Sequence, residues 1–109
     1  MNFDEYQQWT RSTAIYPDVG KNLEYTTLGL CGECGEVANK VKKIQRDNGG
    51  VLDADTRYKI ANELGDVLWY LARCADEINI PLSVIAIQNK VNLTRRQREN
   101  TIKGEGDGR

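Results

Sequence analysis

Two stretches decide how this chain folds: Leu30-Cys31-Gly32-Glu33-Cys34-Gly35-Glu36-Val37, and Ile60-Ala61-Asn62-Glu63-Leu64-Gly65-Asp66-Val67. They match position by position. Leu30 pairs with Ile60, Glu33 with Glu63, Gly35 with Gly65, Glu36 with Asp66 and Val37 with Val67, and further on Val41 pairs with Leu71. The pattern is a short internal repeat, as a duplicated helix would leave. At about 100° per residue, Leu30, Cys34, Val37, Val41 and Ile44 form one apolar stripe, and Ile60, Leu64, Val67, Leu71 and Ile78 form another. Each stripe carries two acids at its edge. Packing the stripes antiparallel would bring all four acids, Glu33, Glu36, Glu63 and Asp66, to one rim.

Outward from the repeat, helical periodicity continues and β-branched alternation is absent. Phe3, Tyr6 and Trp9 recur at three-residue steps, which predicts a first helix over 2–15, stopped by Pro17. A second helix is predicted from about Lys21 to Asp47, ended by Asn48-Gly49-Gly50. Asp53 or Asp55 would cap a third, running to about Asn79. Pro81 interrupts the chain, and a fourth follows over 82–100. The fold class expected is therefore all-α: a four-helix bundle-like single domain over 1–109, with a glycine-rich tail at 103–109. Helices this long on a 109-residue chain have apolar surface to share, which predicts a homo-oligomer, a dimer or tetramer.

Bulk properties exclude several function classes. The net charge is −1 and the pI about 5.5, which argues against a nucleic-acid-binding surface. Basic residues still cluster locally, at Lys40, Lys42, Lys43 and Arg46, and again at Arg95, Arg96, Arg98, Lys103 and Arg109, where a small anion would find partners. No run approaches about 18 apolar residues, so no membrane span is expected. Met1-Asn2-Phe3-Asp4-Glu5 does not resemble a signal peptide, and three cysteines suit a reducing compartment, so a cytoplasmic location is expected. There is no histidine, which removes Ser-His and Cys-His nucleophiles and most zinc enzymes.

Acids at i and i+3 repel, and partly burying four of them is costly without a counter-charge. A hard divalent cation resolves that conflict. Carboxylate oxygen without histidine or clustered thiolate points to Mg²⁺, with Mn²⁺ as a substitute. A single E-x-x-E would be an ordinary solvated helix face. Two in matched register beside two apolar stripes make a metal site the better reading.

With its flanks, the motif resembles the MazG-like branch of the all-α NTP pyrophosphohydrolases, relatives of the dimeric dUTPases. Their signature is E-x-x-E, a spacer, then E-x-x-D. Here it reads Glu33-x-x-Glu36, residues 37–62, then Glu63-x-x-Asp66. The similarity takes in Gly32–Lys40 and Glu63–Leu71, and resumes in Lys103-Gly104-Glu105-Gly106-Asp107-Gly108-Arg109. The resemblance implies hydrolysis of a (d)NTP between the α and β phosphates, giving (d)NMP and pyrophosphate. The four acids would be both metal ligands and catalytic residues. It also implies an Asn-x-x-Lys step on the last helix followed by an arginine. Asn89 and Arg96 fit, but Asn92 stands where the lysine belongs. Lys40, Lys43, Lys103 or Arg109 would then meet the phosphates, and Trp9 is a candidate for stacking on the base, with Trp69 and Tyr70 behind it.

Cys31-x-x-Cys34 reads as core packing rather than a redox or zinc motif, since only Cys74 remains to join it. The rival function is a non-catalytic metal- or nucleotide-binding helical regulatory module. A plain interaction bundle with solvated acids stands behind that.

Overall fold

The computed structural model describes residues 1–100. They form α1 (Phe3–Thr10), a 3-10 turn (Arg11–Thr13), α2 (Leu23–Asp47), α3 (Ala54–Glu77) and α4 (Leu82–Arg98), with no strand among them. The all-α expectation holds. Lys103, Arg109 and the rest of the glycine-rich segment lie outside the described residues.

The first helix is shorter than the periodicity predicts. It stops at Thr10, because a run of hydroxyls folds back on the preceding carbonyls. Thr10 Oγ1 donates to Gln7 O at 2.6 Å, Ser12 Oγ to Trp9 O at 2.7 Å, and Thr13 Oγ1 to Thr10 O at 3.0 Å. The expected Phe3–Tyr6–Trp9 stripe is not its buried face. Phe3 and Trp9 are exposed and Tyr6 half-buried, whereas Gln7 and Thr10 are buried.

α2 and α3 form a long antiparallel hairpin. Asn22 caps α2 by accepting from Tyr25 N at 3.0 Å. Gly49 and Gly50 turn the chain with φ of +60° and +76°, conformations open to glycine. Asp53 rather than Asp55 caps α3, in a reciprocal box with Thr56. The expected stripes meet only in part. Leu30, Val37 and Ile44 are half-buried against the partner helix, as are Ile60 and Val67. Cys34, Val41, Leu64, Leu71 and Ile78 are exposed, and Glu33, Lys40 and Glu63 are half-buried instead. α2 packs chiefly on α3, and part of each stripe falls outside that contact. The cysteine expectation is corrected for the same reason, since Cys31 and Cys34 are both exposed.

The buried centre lies elsewhere, where α1 and α4 cross the C-terminal half of α3. Ala72, Ala75 and Leu82 are its interior, with Tyr6 and Ile85 packed on them. Polar groups fix that crossing. Leu82 N donates to Gln7 Oε1 at 2.6 Å, and Gln7 Nε2 donates to Ile80 O at 3.0 Å. Pro81 brings no side-chain cap to α4. Asp4, from α1, supplies one by accepting from Ser83 N at 2.9 Å and Ser83 Oγ at 2.6 Å. The four helices thus make a hairpin with two flanking helices, rather than a bundle closed within one chain.

Candidate metal centre and nucleotide site

Glu33 enters the hairpin seam from α2, and Glu63 and Asp66 enter it from α3. One carboxylate oxygen from each lies within 4.8 Å of the other two. That spacing suits oxygens around one small cation, whose metal–oxygen bonds of about 2.0–2.1 Å set opposite ligands roughly 4.2 Å apart. The acids bear on one another. Burial raises the Glu33 carboxyl above its usual range, and the charges of Asp66, Glu63 and Glu36 raise it further. Such mutual repulsion among all-oxygen donors is what a hard divalent ion relieves, so the residues fit the group that the repeat implies.

Glu36 departs from the expectation. It is exposed and is not one of the three clustered carboxylates, though its charge reaches Glu33. The two halves of the repeat are therefore not equivalent: Asp66 joins the cluster and its counterpart Glu36 stays at the rim.

Aromatic side chains flank the acids, of which Asp66 is itself exposed. Tyr70 lies flat on bare α2 backbone at Gly29, where a Cβ would collide with its ring. Its phenol is pushed up by burial first, then by neighbouring Tyr25 and the charges of Glu33 and Asp66. Tyr6 is pushed up by burial and by Asp66. Trp9 is 53% exposed, with its ring 5.8 Å from that of Tyr6, so it stands one step out from the acids. Trp69 is locked instead. Its indole N–H donates to Thr13 Oγ1 at 2.8 Å, and its ring meets Tyr16 and Tyr70 edge-on. Tyr25 went unnoticed in the sequence because its place depends on stacking against Tyr16, at 5.1 Å between ring centres.

Lys40 is half-buried in the seam and Lys43 exposed on the same side of α2. Asn89 faces away from the acids, toward Ile78 and Ile80 at the far end of α3. That end is twelve residues beyond Asp66, about 18 Å along the helix. Arg96 lies in the last turn of α4. Within one chain the structure gathers three acids and the tyrosines, sets Lys40 two turns farther along the seam, and leaves Asn89 apart.

A family model described as the MazG nucleotide pyrophosphohydrolase domain matches residues 21–99, which hold α2, α3, α4 and all four acids. The chain belongs to the MazG nucleotide pyrophosphohydrolase family. It is also similar to the "Gene 37 protein" of Mycobacterium phage L5, at 44% identity over 114 residues that cover 100% of both chains. No solved structure matches it. MazG membership carries hydrolase chemistry on nucleotides at the level of the family. The matched span begins after α1, so the wall formed by Tyr6 and Trp9 lies outside the MazG core. Among the described residues, no helix is long and apolar enough to cross a membrane.

Proposed function

We propose that this MazG-family chain is a Mg²⁺-dependent nucleoside triphosphate pyrophosphohydrolase. Water attacks the α phosphorus, the bond from that phosphorus to the bridging oxygen breaks, and (d)NMP, pyrophosphate and a proton are released. The observation that carries the proposal is the convergence of Glu33, Glu63 and Asp66 from two helices to within 4.8 Å. Bound there, Mg²⁺ supplies charge neutralisation and Lewis acidity. The carboxylates fix its place and accept the proton from water. Lys40 and Lys43 offset phosphate charge, and Trp9 offers a face to the base. The copy in solution is a homodimer or homotetramer, which would bring a second α4, with its Asn89 and Arg96, within reach of the acids. We expect the protein in the cytoplasm, acting on free nucleotides.

The test is to incubate the pure chain with Mg²⁺ and a panel of nucleotides, and to separate the products. NMP with pyrophosphate supports the proposal, whereas NDP with inorganic phosphate would mean that another bond is cut. Asp66→Asn should lower turnover by at least about a hundredfold, the scale on which a lost transition-state contact acts, and keep its helical circular dichroism. Full activity in that variant would remove Asp66 from the site. One observation favours the regulatory alternative: Glu36 lies outside the cluster. That alternative predicts nucleotide binding in a calorimeter with no product formed.

A further inference from the structure

The acids occupy only part of the groove between α2 and α3. Along α2, Glu33, Glu36, Lys40, Lys43 and Asp47 follow at steps of three and four, which keeps them on one side of that helix. Along α3, Thr56, Lys59, Glu63 and Asp66 do the same. The antiparallel register sets Lys40 opposite Thr56, just as it sets Glu33 opposite Glu63. Two helical turns from the acids, about 10 Å along the axis, the same seam opens into a cavity of about 260 Å³ lined by Lys40, Lys43, Lys59, Thr56 and Asp47, with Ile44 and Asn48. The groove is therefore bipolar, with carboxylates for a cation at one end and three ammonium groups at the other.

Two carboxylates compete for these ammonium groups: Asp47, whose charge also meets Lys43, and Asp55. Asp47 pairs with Arg46 at 2.7 Å, and Lys59 pairs with Asp55 at 3.0 Å. Both members of the Lys59–Asp55 pair are exposed, and exposed pairs of this kind contribute little, so an anion of higher charge would draw Lys59 from Asp55. Among the described residues, no aromatic side chain lines the cavity. Above an apolar floor that includes Ile44, its donors are three ammonium groups, the Thr56 hydroxyl and the Asn48 amide, a set that suits phosphoryl oxygen.

We propose that Lys40, Lys43, Lys59 and Thr56 form a polyphosphate subsite, which holds the two phosphates that leave as pyrophosphate. The subsite rests on the pyrophosphohydrolase reading above, and it assigns roles to Lys59 and Thr56, which the acid motif does not include. It also fixes the direction of the substrate: the α phosphate at the acids, the terminal phosphate toward the turn at Gly49 and Gly50.

The experiment is calorimetric titration of the full chain with inorganic pyrophosphate, in chelator without added divalent ion, alongside turnover on the same preparations. Binding should weaken about tenfold or more in Lys59→Gln and in Lys43→Gln, as the loss of a charge-assisted hydrogen bond predicts. It should be unchanged in Arg57→Gln, which removes a neighbouring cation that does not line the cavity. Asp66→Asn should bind pyrophosphate at least as well as the parent, since it takes a negative charge out of the groove. Absence of pyrophosphate binding, indifference to Lys59 and Lys43, or an equal loss in Arg57→Gln overturns the subsite even when turnover is normal. Lysine-dependent binding in a protein that hydrolyses no triphosphate supports the subsite and sinks the reaction instead.

Discussion

Glu33 lies half-buried against two carboxylates of the facing helix, and its carboxyl is held above the ordinary range by burial and then by Asp66, Glu63 and Glu36. A group whose folded pKa is raised contributes stability below its unfolded pKa and loses it as pH rises through the folded value. At neutral pH the ion-free protein therefore carries a penalty at this residue. Like-charge repulsion at about 0.2–0.5 kcal/mol per pair gives roughly 1 kcal/mol from three neighbours, or a few degrees in melting temperature for a chain of this size. Without metal at pH 7, Glu33→Gln should melt higher by that amount, and the gain should vanish below about pH 4. Added Mg²⁺ should raise the melting temperature of the parent and leave the variant unmoved. A variant that melts lower without metal would show that Glu33 is held by favourable contacts, not tolerated for a cation. The acids were legible in the sequence because i, i+3 spacing within one helix fixes which side chains share a face. Thr56 and Lys59 were not, because what they face depends on the register of the other helix.

The elements are tied together by a second set of charges, in which cations and carboxylates are paired. Arg73 on α3 is buried and reaches Asp76 at 2.9 Å, Tyr16 Oη at 3.0 Å and Thr10 Oγ1 at 3.3 Å. Asp76 also takes Arg11 from the 3-10 turn at 2.8 Å. The Glu77 carboxylate accepts from Tyr16 Oη at 3.0 Å, Gly20 N at 2.6 Å and Asn22 N, and so anchors the loop that starts α2. Burial alone would raise the Glu77 carboxyl, but the Asn22 and Gly20 amides, Tyr16 and Arg73 outweigh it and hold the group below its usual range. The bond from Arg11 is the largest cause that lowers Asp76. Carboxyls with lowered pKa stabilise the fold above their unfolded pKa, and that contribution is lost as pH falls through the folded value. Urea melts of the parent should therefore show stability falling below about pH 4. Glu77→Gln should be less stable at pH 7 and less sensitive to pH across that range. Arg73→Met should cost about 3–5 kcal/mol at pH 7, the scale for stranding a buried partner. A loss under 1 kcal/mol would mean that Asp76 and Glu77 do not need it. This network shows where pattern reasoning stopped. Helix number and type followed from periodicity, proline and glycine, but the first helix was read as a stripe of Phe3, Tyr6 and Trp9. Its true inward face is Gln7 and Thr10, chosen by hydrogen bonds to residues more than sixty positions away.

For the molecule as a whole, the exposed apolar residues are not scattered. Cys34 and Val41 on α2, with Leu64, Leu71 and Ile78 on α3, continue the repeat's stripes away from the acid side of the hairpin, and Leu64 is 51% exposed. Val84, Ile87 and Val91 run along α4, and Ile87 is 61% exposed. Exposed apolar surface of this kind is what the proposed homo-oligomer would cover, and a second copy would present a matching one. The sequence stripes meet only in part within one chain: one side of each meets the other helix of the hairpin, and the other side stays exposed. Sedimentation should give a mass of two or four chains. Leu64→Glu with Leu71→Glu should shift it to one and lower the melting temperature. The double variant should lose turnover even though Glu33, Glu63 and Asp66 are intact, because Asn89 stands beside Ile78 and Ile80, away from the acids of its own chain. A monomeric variant with full turnover would show that a single hairpin is sufficient, and that α4 contributes no residue to the reaction.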